Sequence, residues 1–310
     1  MSHEYDSEQQ ALLFTLGWWA LRILPLLAVL RFLKWFVNPI LVYSRQAAHS
    51  EMEMYIGGKK LSKSQMAYPF LLREVYSDPG NGAKLPVGKK IAKSQMCGLG
   101  LVVPCYNEEA RLPTMLKEHM DYIKDLQAKN RLPARVEILL VDDGSKDTTL
   151  AFIKRMTEEH PEDAKAKTTC FVRGLRLIKN RGKGAAVKTG TLYSRGEFVL
   201  MLDADGATDF HEIEGILNHS KKVAARSEKN HACCIGSRNI ATEQVQRTPL
   251  RKLLNWGMQK LCLIILGSRV KDTQCGFKIW SREAAQLIFP AQHLERWAFD
   301  LEVLFLSYRH

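Results

Sequence analysis

Short apolar runs alternate with longer amphipathic stretches along the C-terminal two thirds of the chain. The apolar runs occupy residues 99–103, 137–141, 175–178, 197–202 and 232–236. Each run is long enough for one buried strand, and each intervening stretch can hold a helix that returns the chain across a sheet. Alternating strands and helices are typical of α/β domains. The pattern predicts an α/β domain over residues 98–310, with a mainly parallel sheet flanked by helices.

The stretch Glu109–Ala128 has the spacing of an amphipathic helix. Its apolar residues recur at intervals of three and four, at Leu112, Met115, Leu116, Met120, Ile123 and Leu126. This spacing places them on one face of a helix, so we expect them in the core. The methionines therefore need no cofactor to explain them.

A long apolar run precedes the domain. Residues 11–30 can cross the hydrocarbon core of a bilayer, although Arg22 lies near their centre. The arginine opposes insertion, but the surrounding Leu, Ile, Val and Phe residues outweigh its cost on insertion scales. Acidic residues precede the run and Arg31 and Lys34 follow it, which places the rest of the chain in the cytosol. We expect an uncleaved single-pass anchor over residues 1–37; the alternative is a helix lying in the membrane interface.

Residues 38–97 have little periodicity and many Gly, Pro, Ser and Lys residues, which is typical of a connector. The chain has a formal net charge of +12, and residues 55–97 hold 8 basic against 2 acidic residues. A basic connector suits anionic lipid headgroups or phosphates, and it is also explained as a solvated linker. Because it lacks interleaved aromatic residues and any recognised motif, we expect no nucleic-acid partner.

The seven cysteines form no CxxC pair and have no matching histidine spacing. The sequence therefore indicates neither a zinc site nor a disulfide framework. Several cysteines lie in apolar runs, where a free thiol behaves as a small hydrophobe in a reducing compartment. This usage agrees with a domain that faces the cytosol.

The segment Leu250–Leu266 is too apolar for an ordinary surface helix, and basic residues flank it on both sides. We predict a helix near residues 250–267 that is embedded in the membrane interface. A buried core helix is the alternative.

Polar motifs follow three of the predicted strands. They contribute Pro104, Tyr106, Asn107 and Glu108 after the first run, Asp142 and Asp143 after the second, and Asp203 and Asp205 after the fourth. In open α/β sheets ligands bind in the crevice beyond the carboxyl ends of the strands, so we expect these side chains to share one pocket. Carboxylates at Asp142 and Asp143 can accept hydrogen bonds from a base or ribose. Alternatively, Ser145 or Asp147 caps the next helix.

Asp203 and Asp205 are candidate metal ligands. A hard cation bound to a diphosphate needs only one or two protein carboxylates, because phosphates and waters complete its octahedron. Such a cation neutralises charge on a departing nucleoside diphosphate. The pair predicts a Mg²⁺ or Mn²⁺ site, although the same spacing also occurs in surface turns.

The loop Asn180–Gly184 places two glycines and two cations, Arg181 and Lys183, immediately before a predicted helix at Ala185–Ser194. Backbone N–H groups and a helix N-terminus can approach a phosphate here. The spacing differs from that of a P-loop. The alternative is a basic loop that only begins the helix.

The chain resembles the inverting family 2 glycosyltransferases of the GT-A (Rossmann-like) fold. Among them it resembles most the dolichyl-phosphate β-glucosyltransferases of the endoplasmic reticulum, over Leu99–His310. Besides the motifs above, the resemblance is carried by residues 206–208, 236–238, 272–278 and 295–302. It implies a membrane-anchored enzyme of the endoplasmic reticulum whose catalytic domain faces the cytosol.

The resemblance also implies roles for individual residues. The residues implied to hold the uridine are Pro104, Tyr106, Asn107 and Glu108, with Asp143 on the uracil. Lys183 would lie beside the nucleotide, with Asp203 and Asp205 at the ribose, diphosphate and metal. Arg238 and Arg251 match the region where relatives bind donor and acceptor phosphates. Related mannosyltransferases have a metal-binding Gln where this chain has Ala207, so a third protein ligand is not carried over.

The implied reaction transfers glucose from UDP-glucose to dolichyl phosphate with inversion, for N-glycan assembly. The acceptor phosphate is already anionic at pH 7, so a strong general base is unnecessary. Positioning and metal and arginine electrostatics would then supply the catalysis. If the acceptor were a sugar hydroxyl, Asp272 or Asp300 would be the candidate base.

The candidate catalytic residues are therefore Asp203, Asp205, Arg238 and Asp300. A mannosyltransferase that uses dolichyl or polyprenyl phosphate, or another family 2 transferase such as a bacterial-type polyprenyl glucosyltransferase, would share most of these motifs. A non-catalytic membrane tether is the alternative from a different class, and the intact Asp203, Asp205 and Lys183 argue against it. The expected partners are UDP-glucose, dolichyl phosphate and membrane lipid, with a homo-oligomer left open.

Overall fold

The computed structural model describes residues 52–56, 59–60, 96–163, 166–206, 208–236, 272 and 275–309. The predicted anchor at residues 1–37, the predicted interfacial helix at 250–267, and Ala207, Arg238 and Arg251 lie outside these ranges. Within the described ranges, no helix combines the length and apolarity that a membrane crossing requires.

Eight strands and six α-helices make up the described part of the chain. The strands are β1 (Met52–Ile56), β2 (Lys59–Lys60), β3 (Cys97–Cys105), β4 (Arg135–Asp142), β5 (Thr169–Leu177), β6 (Gly196–Met201), β7 (Cys233–Ile235) and β8 (Lys278–Ser281). The helices are α1 (Leu112–Ala128), α2 (Thr149–Glu159), α3 (Lys183–Tyr193), α4 (Ile213–Arg226), α5 (Arg282–Ala291) and α6 (Phe299–Arg309), with a 3₁₀ turn at Phe210–Glu212. All five apolar runs fall on strands, and the predicted helices at 109–128 and 185–194 correspond to α1 and α3.

The strands form one sheet in the order β2-β1-β5-β4-β3-β6-β8-β7. The four central strands, β5, β4, β3 and β6, run parallel. The strands on either side of them pair antiparallel. The sheet is therefore mixed rather than mainly parallel. The prediction of a mainly parallel sheet failed at the margins because an apolar run indicates a strand but not the direction in which it pairs.

Strand β1 lies within the stretch that the sequence predicts to be a connector. It pairs antiparallel with β5, and Tyr55 lies opposite Gly174 and is buried. A Cβ on Gly174 would lie 2.7 Å from Ile153 Cγ2 on α2, so this glycine lets helix and sheet approach closely. Residues 52–56 and 59–60 of the predicted connector are thus strands of the sheet. Backbone hydrogen bonds with β5 hold β1 in the sheet, and the amino-acid composition of a segment does not predict such bonds.

The core lies on both faces of the sheet. Helices α3, α5 and α6 cover one face, where Val102, Leu139 and Val141 point. Helices α1, α2 and α4 cover the other, where Leu101 and Leu140 point. Alternation along β3 and β4 follows from the two-residue period of a strand. All six apolar residues expected on the inner face of α1 are buried, which confirms the helical-spacing prediction.

A buried charge network braces the end of the sheet opposite to the strand ends that carry the motifs. Glu137 on β4 pairs with Arg173 on β5, and its Oε2 accepts hydrogen bonds from Ser194 Oγ at 2.9 Å and Arg195 N at 2.6 Å. Burial opposes ionisation of Glu137, but the adjacent guanidinium of Arg173 and the bond from Arg195 N outweigh it and lower the pKa. This carboxylate is structural, because it lies at the amino ends of the parallel strands.

Candidate active site

A pocket of about 300 Å³ opens at the carboxyl ends of β3, β4 and β6. It is lined by Pro104, Cys105, Tyr106, Glu108, Asp143, Asn180, Gly182, Lys183, Ala186, Asp203, Ala204 and Asp205. The three strand-end motifs and the basic loop therefore meet, as expected from parallel strands that end at one edge. Of the sequence-predicted residues that the structure describes, Asn107, Asp142, Asp272 and Asp300 do not line the pocket.

The loop after β3 presents an aromatic ring and a carboxylate to the pocket. The Tyr106 side chain is 40% exposed. Glu108 holds Arg111 through two hydrogen bonds of 2.8 Å, so its carboxylate is fixed. Asn107 has the unusual φ of 55°. Its backbone N–H donates to Ser145 Oγ and its Oδ1 accepts from Lys146 N, both at 2.9 Å, so it joins the β3 loop to the β4 loop.

The adjacent aspartates at the carboxyl end of β4 have different environments. Asp142 is fully buried, and its Oδ1 accepts a 2.9 Å hydrogen bond from Ser145 N. Burial raises the pKa of Asp142, and the residue shapes the loop from inside rather than facing the pocket. At the start of α2, Asp147 Oδ1 accepts from Thr149 N at 3.0 Å, and the N-cap residue Thr148 makes no side-chain cap bond.

Asp143 lines the pocket and organises the basic loop. Its Oδ1 accepts from Arg181 N at 2.8 Å, and its Oδ2 accepts from Gly182 N at 2.7 Å. Burial raises the pKa of Asp143 to about 6, although these two hydrogen bonds favour the ionised form. The carboxylate therefore sets the conformation of the backbone that leads into α3.

Lys183 and Asp203 form an ion pair at the pocket wall. The distance from Lys183 Nζ to Asp203 Oδ1 is 2.5 Å, without the alignment of a hydrogen bond. Gly182 adopts a φ of 106°, which L side chains rarely adopt, and this turn brings Lys183 to the first position of α3. The basic loop thus directs one cation to the carboxylates that follow β6.

Asp203 and Asp205 follow β6 and both line the pocket; Asp205 is exposed. A Cβ on Gly276 would overlap Oδ2 of Asp203, so the absence of a side chain at position 276 sets the position of this carboxylate. Within the described ranges, no group of three or more His, Cys, Asp or Glu residues could hold a metal ion by itself. In the part of the chain that the structure describes, Asp203 and Asp205 therefore do not belong to a larger cluster of metal-ligating side chains.

Asp300 lies behind the pocket. Its Oδ1 is 2.7 Å from Lys278 Nζ, and Lys278 also donates to Cys275 O at 2.6 Å. Burial raises the pKa of Asp300 against the opposing effect of Lys278 and Lys183. The other sequence candidate for a general base, Asp272, is buried.

Three residues that shape the site carried no individual signal in the sequence. Gly276 makes room for Asp203, Lys278 neutralises Asp300, and Gln292 donates from its Nε2 to Gly184 O at 3.0 Å. The glycines of the basic loop do signal a close approach of another backbone, but not which segment approaches. These contacts depend on tertiary structure.

Comparisons with known proteins agree with this architecture. Residues 101–289 of the 310 match the family model described as Glycosyl transferase family 2. The chain is 40% identical over 213 residues to the Dolichyl-phosphate beta-glucosyltransferase of Dictyostelium discoideum, an alignment that covers 67% of this chain and 62% of the relative. The human protein of that name is 39% identical over 211 residues, covering 67% and 62%, respectively. The chain thus spans about three fifths of the length of these relatives.

Solved structures show more distant similarity. Staphylococcus aureus TarS is 20% identical with a TM-score of 0.42, covering 68% of this chain and 55% of that one. Glucosyl-3-phosphoglycerate synthase from Mycobacterium tuberculosis, in complex with uridine diphosphate, is 16% identical with a TM-score of 0.36, covering 61% and 58%. The mixed sheet flanked by helices, with its pocket beyond the central strands, has the GT-A architecture. Because the family model matches more than half of the chain, and relatives near 40% identity match two thirds of it, the chain belongs to glycosyl transferase family 2.

Proposed function

We propose that this protein transfers glucose from UDP-glucose to dolichyl phosphate and releases UDP. The observation that carries the proposal is the convergence of Asp203, Asp205 and Lys183 on one pocket beyond a parallel sheet. These groups suit a nucleoside diphosphate sugar, since its diphosphate needs a cation and a metal-binding carboxylate. The names of these two relatives give glucose as the transferred sugar and dolichyl phosphate as the acceptor, and the resemblance described above supplies the uridine nucleotide.

The donor would lie along the pocket with its base near Tyr106 and its diphosphate near Lys183. An exposed aromatic ring can stack against a base. Asp143 retains further acceptor capacity beyond its two backbone partners, so it can also accept from the N–H of a uracil. Lys183 would contact the diphosphate. This orientation would direct the glucose towards Asp203, which packs against Gly276.

Asp203 and Asp205 would hold the proposed Mg²⁺ or Mn²⁺. Carboxylate oxygens are the ligands that these hard cations prefer, and a donor diphosphate would complete the coordination. The nearby Cys105 is no competing soft ligand, because complete burial holds the pKa of its thiol well above the ordinary value. When bound, the metal neutralises charge that develops on the leaving UDP.

The transfer needs no general base. An oxygen of the acceptor phosphate forms a bond to the anomeric carbon, the bond from that carbon to the UDP oxygen breaks, and the electron pair leaves with UDP. The attacking oxygen is already anionic near pH 7. Asp300 is therefore not required to remove a proton, and its ion pair with Lys278 gives it a supporting electrostatic role behind Asp203.

A membrane location follows from the proposed acceptor, which is a lipid. We place the enzyme at the endoplasmic reticulum membrane with its pocket on the cytosolic side. The support for this placement is the apolar run at residues 11–30 and the basic residues that follow it.

Donor competition tests the proposal against the mannosyltransferase alternative. Detergent-solubilised full-length protein would receive dolichyl phosphate with equal concentrations of UDP-glucose and GDP-mannose, and mass spectrometry would identify the nucleotide released. We expect UDP release in proportion to glucolipid formed. Preferential GDP release would replace the glucose donor with mannose. Binding of both nucleotides without any transfer would support the tether.

A further inference from the structure

The basic loop rests on a segment that is distant in sequence. This segment, Gln292–Glu295, connects α5 to α6 and is called the strut below. Glu295 O accepts a 2.9 Å hydrogen bond from Ala185 N, and Gln292 Nε2 donates to Gly184 O at 3.0 Å. A Cβ on Gly184 would lie 2.6 Å from Leu294 O, so loop and strut are in backbone contact.

A second contact joins the strut to the same loop from the side. Arg181, which follows Asn180 in the pocket wall, forms an ion pair with Glu295. The residues on either side of Gly182 and Lys183 are therefore attached to the strut. Since Lys183 begins α3 at this point, the position of the strut determines where its ammonium group can reach.

One carboxylate on α6 holds the strut. Glu302 accepts hydrogen bonds from His293 N at 2.8 Å and from Leu294 N at 2.6 Å, and His293 Nδ1 lies 3.2 Å from its Oε1. On the opposite side, Lys188 Nζ of α3 donates to Gln292 O at 2.6 Å. Glu302 thus accepts from two N–H groups of the strut, and Lys188 donates to one of its carbonyls. Neither residue lines the pocket.

We propose that Glu302 is a positioning residue for Lys183, acting through the strut and without contacting substrate. This inference rests on the proposed function only in taking a uridine nucleotide as the ligand. It assigns a reason to the charged motif at residues 295–302, in which Glu295 contacts the loop and Glu302 holds the strut.

The Glu302→Gln variant tests the contact while keeping the shape of the side chain. An amide offers one acceptor oxygen, and its NH₂ group would face a backbone N–H, so both bonds cannot be kept. The strut would shift, and the ammonium group of Lys183 would move away from the position in which it contacts the diphosphate. The probes are UDP and uridine, because only UDP carries the phosphates that Lys183 contacts.

Binding of both probes to the full chain in Mg²⁺ would be measured for wild type, Glu302→Gln, Lys183→Met and the double variant. We expect Glu302→Gln to weaken UDP binding about tenfold and to leave uridine binding unchanged. In a protein that already carries Lys183→Met, we expect Glu302→Gln to cause no further loss of UDP affinity. Equal weakening of UDP and uridine, or losses that multiply in the double variant, would overturn the inference. A wild type that does not prefer UDP over uridine would instead overturn the proposed function.

Two further variants separate positioning from general destabilisation. Glu137→Gln alters a carboxylate that is more deeply buried than Glu302 and lies at the other end of the sheet, so it should lower the thermal midpoint and leave the UDP preference intact. Lys188→Met removes the hydrogen bond between α3 and the strut, and it replaces Glu302→Gln as the test variant if Glu302→Gln does not fold. It should reduce the UDP preference in the same direction, and an unchanged preference in a folded Lys188→Met protein would count against the inference.

Discussion

Lys183 Nζ lies 2.5 Å from Asp203 Oδ1, across the pocket mouth from the β3 loop. The two side chains come from elements that are not adjacent in sequence, the N-terminus of α3 and the turn after β6. Their side chains are 37% and 23% exposed, so both groups remain reachable by a ligand. In the proposed function, the pair joins the residue that would contact the diphosphate to a residue that would hold the metal.

Lys183→Met should weaken catalysis without unfolding the protein. A charge-assisted contact to phosphate contributes about 1.5 to 3 kcal/mol, which corresponds to a loss of about 10- to 100-fold in kcat/KM for UDP-glucose. Steady-state kinetics would measure the loss. Lys221→Met is the matched control, because it removes the same charge from an exposed position on α4 outside the pocket. If both variants kept wild-type kcat/KM, Lys183 would have no contact with the donor.

Asp205→Asn should abolish most of the metal-dependent turnover. The side chain is exposed, so the substitution leaves packing unchanged while it removes the charge of a proposed metal ligand. We expect a fall of about 100-fold or more in kcat, comparable to the loss of one group that stabilises developing charge. Glu197→Gln, at an exposed position on the other end of β6, should be neutral. Turnover that stays metal-dependent and unchanged in Asp205→Asn would remove this residue from the metal site.

Gly276→Ala should impair the site through Asp203. The new methyl group would overlap Oδ2 of Asp203, so the carboxylate must move away from its place beside Lys183. We expect reduced metal-dependent activity, and titration of Mn²⁺ in the presence of UDP would show weaker binding.

The control for this substitution is Gly215→Ala on α4. The nearest atom to a Cβ there is Glu212 Oε2 at 3.5 Å, so there is room for a methyl group. Replacing an exposed helical glycine stabilises a protein by about 0.5 to 1 kcal/mol, so the thermal midpoint should rise slightly with activity unchanged. An active Gly276→Ala enzyme with wild-type metal affinity would show that Asp203 tolerates the displacement.

Uridine binding should depend on the ionisation of Asp143. Burial raises the pKa of this carboxyl from 3.8 to about 6, so the group gains a proton as the pH falls through about 6. The protonated oxygen is a poor acceptor for Arg181 N or Gly182 N, and the basic loop should loosen. We expect uridine affinity to decline below about pH 6, measured by calorimetry with uridine because it has no phosphate to titrate.

The sign for stability is opposite to that for binding. Because the folded pKa of Asp143 lies above the unfolded value, the folded state binds more protons between about pH 4 and 6. This favourable contribution to the free energy of unfolding is present at low pH and is lost as the pH rises through that window.

The Asp143→Asn variant is the control for the binding prediction. Because its side chain does not titrate, it should lack the pH dependence of uridine binding. If the uridine affinity of the wild type did not change with pH, the uracil would not bind at Asp143.

Prediction from the sequence succeeded where local signals suffice. Apolar runs located the central strands, and the residues just beyond them, such as Asp143 and Asp203, line the pocket because parallel strands end at one edge. Prediction was less successful where two segments meet. A single sequence does not display the tertiary packing on which these contacts depend. Examples are the antiparallel pairing of β1 with β5 and of β8 with β6, the contact of the strut with Gly184, and the fit of Gly276 against Asp203.

Adjacent residues of the same type also proved indistinguishable by sequence. Asp142 ends β4 and Asp143 follows it, yet the two-residue period of the strand turns one inward and the other into the pocket. Asn107 likewise has a side chain that is typical of ligand-binding residues, but its side chain and backbone form hydrogen bonds with the loop after β4. In each case the backbone geometry decides the role.

The central claim is tested most directly by glucose transfer to dolichyl phosphate. Detergent-solubilised full-length protein would be given UDP-glucose with labelled glucose, with and without the lipid, in Mg²⁺ or Mn²⁺ and in chelator. The account predicts label in a lipid-soluble product of β configuration that requires both the lipid and the metal. Bound UDP with no labelled lipid under any of these conditions would contradict it.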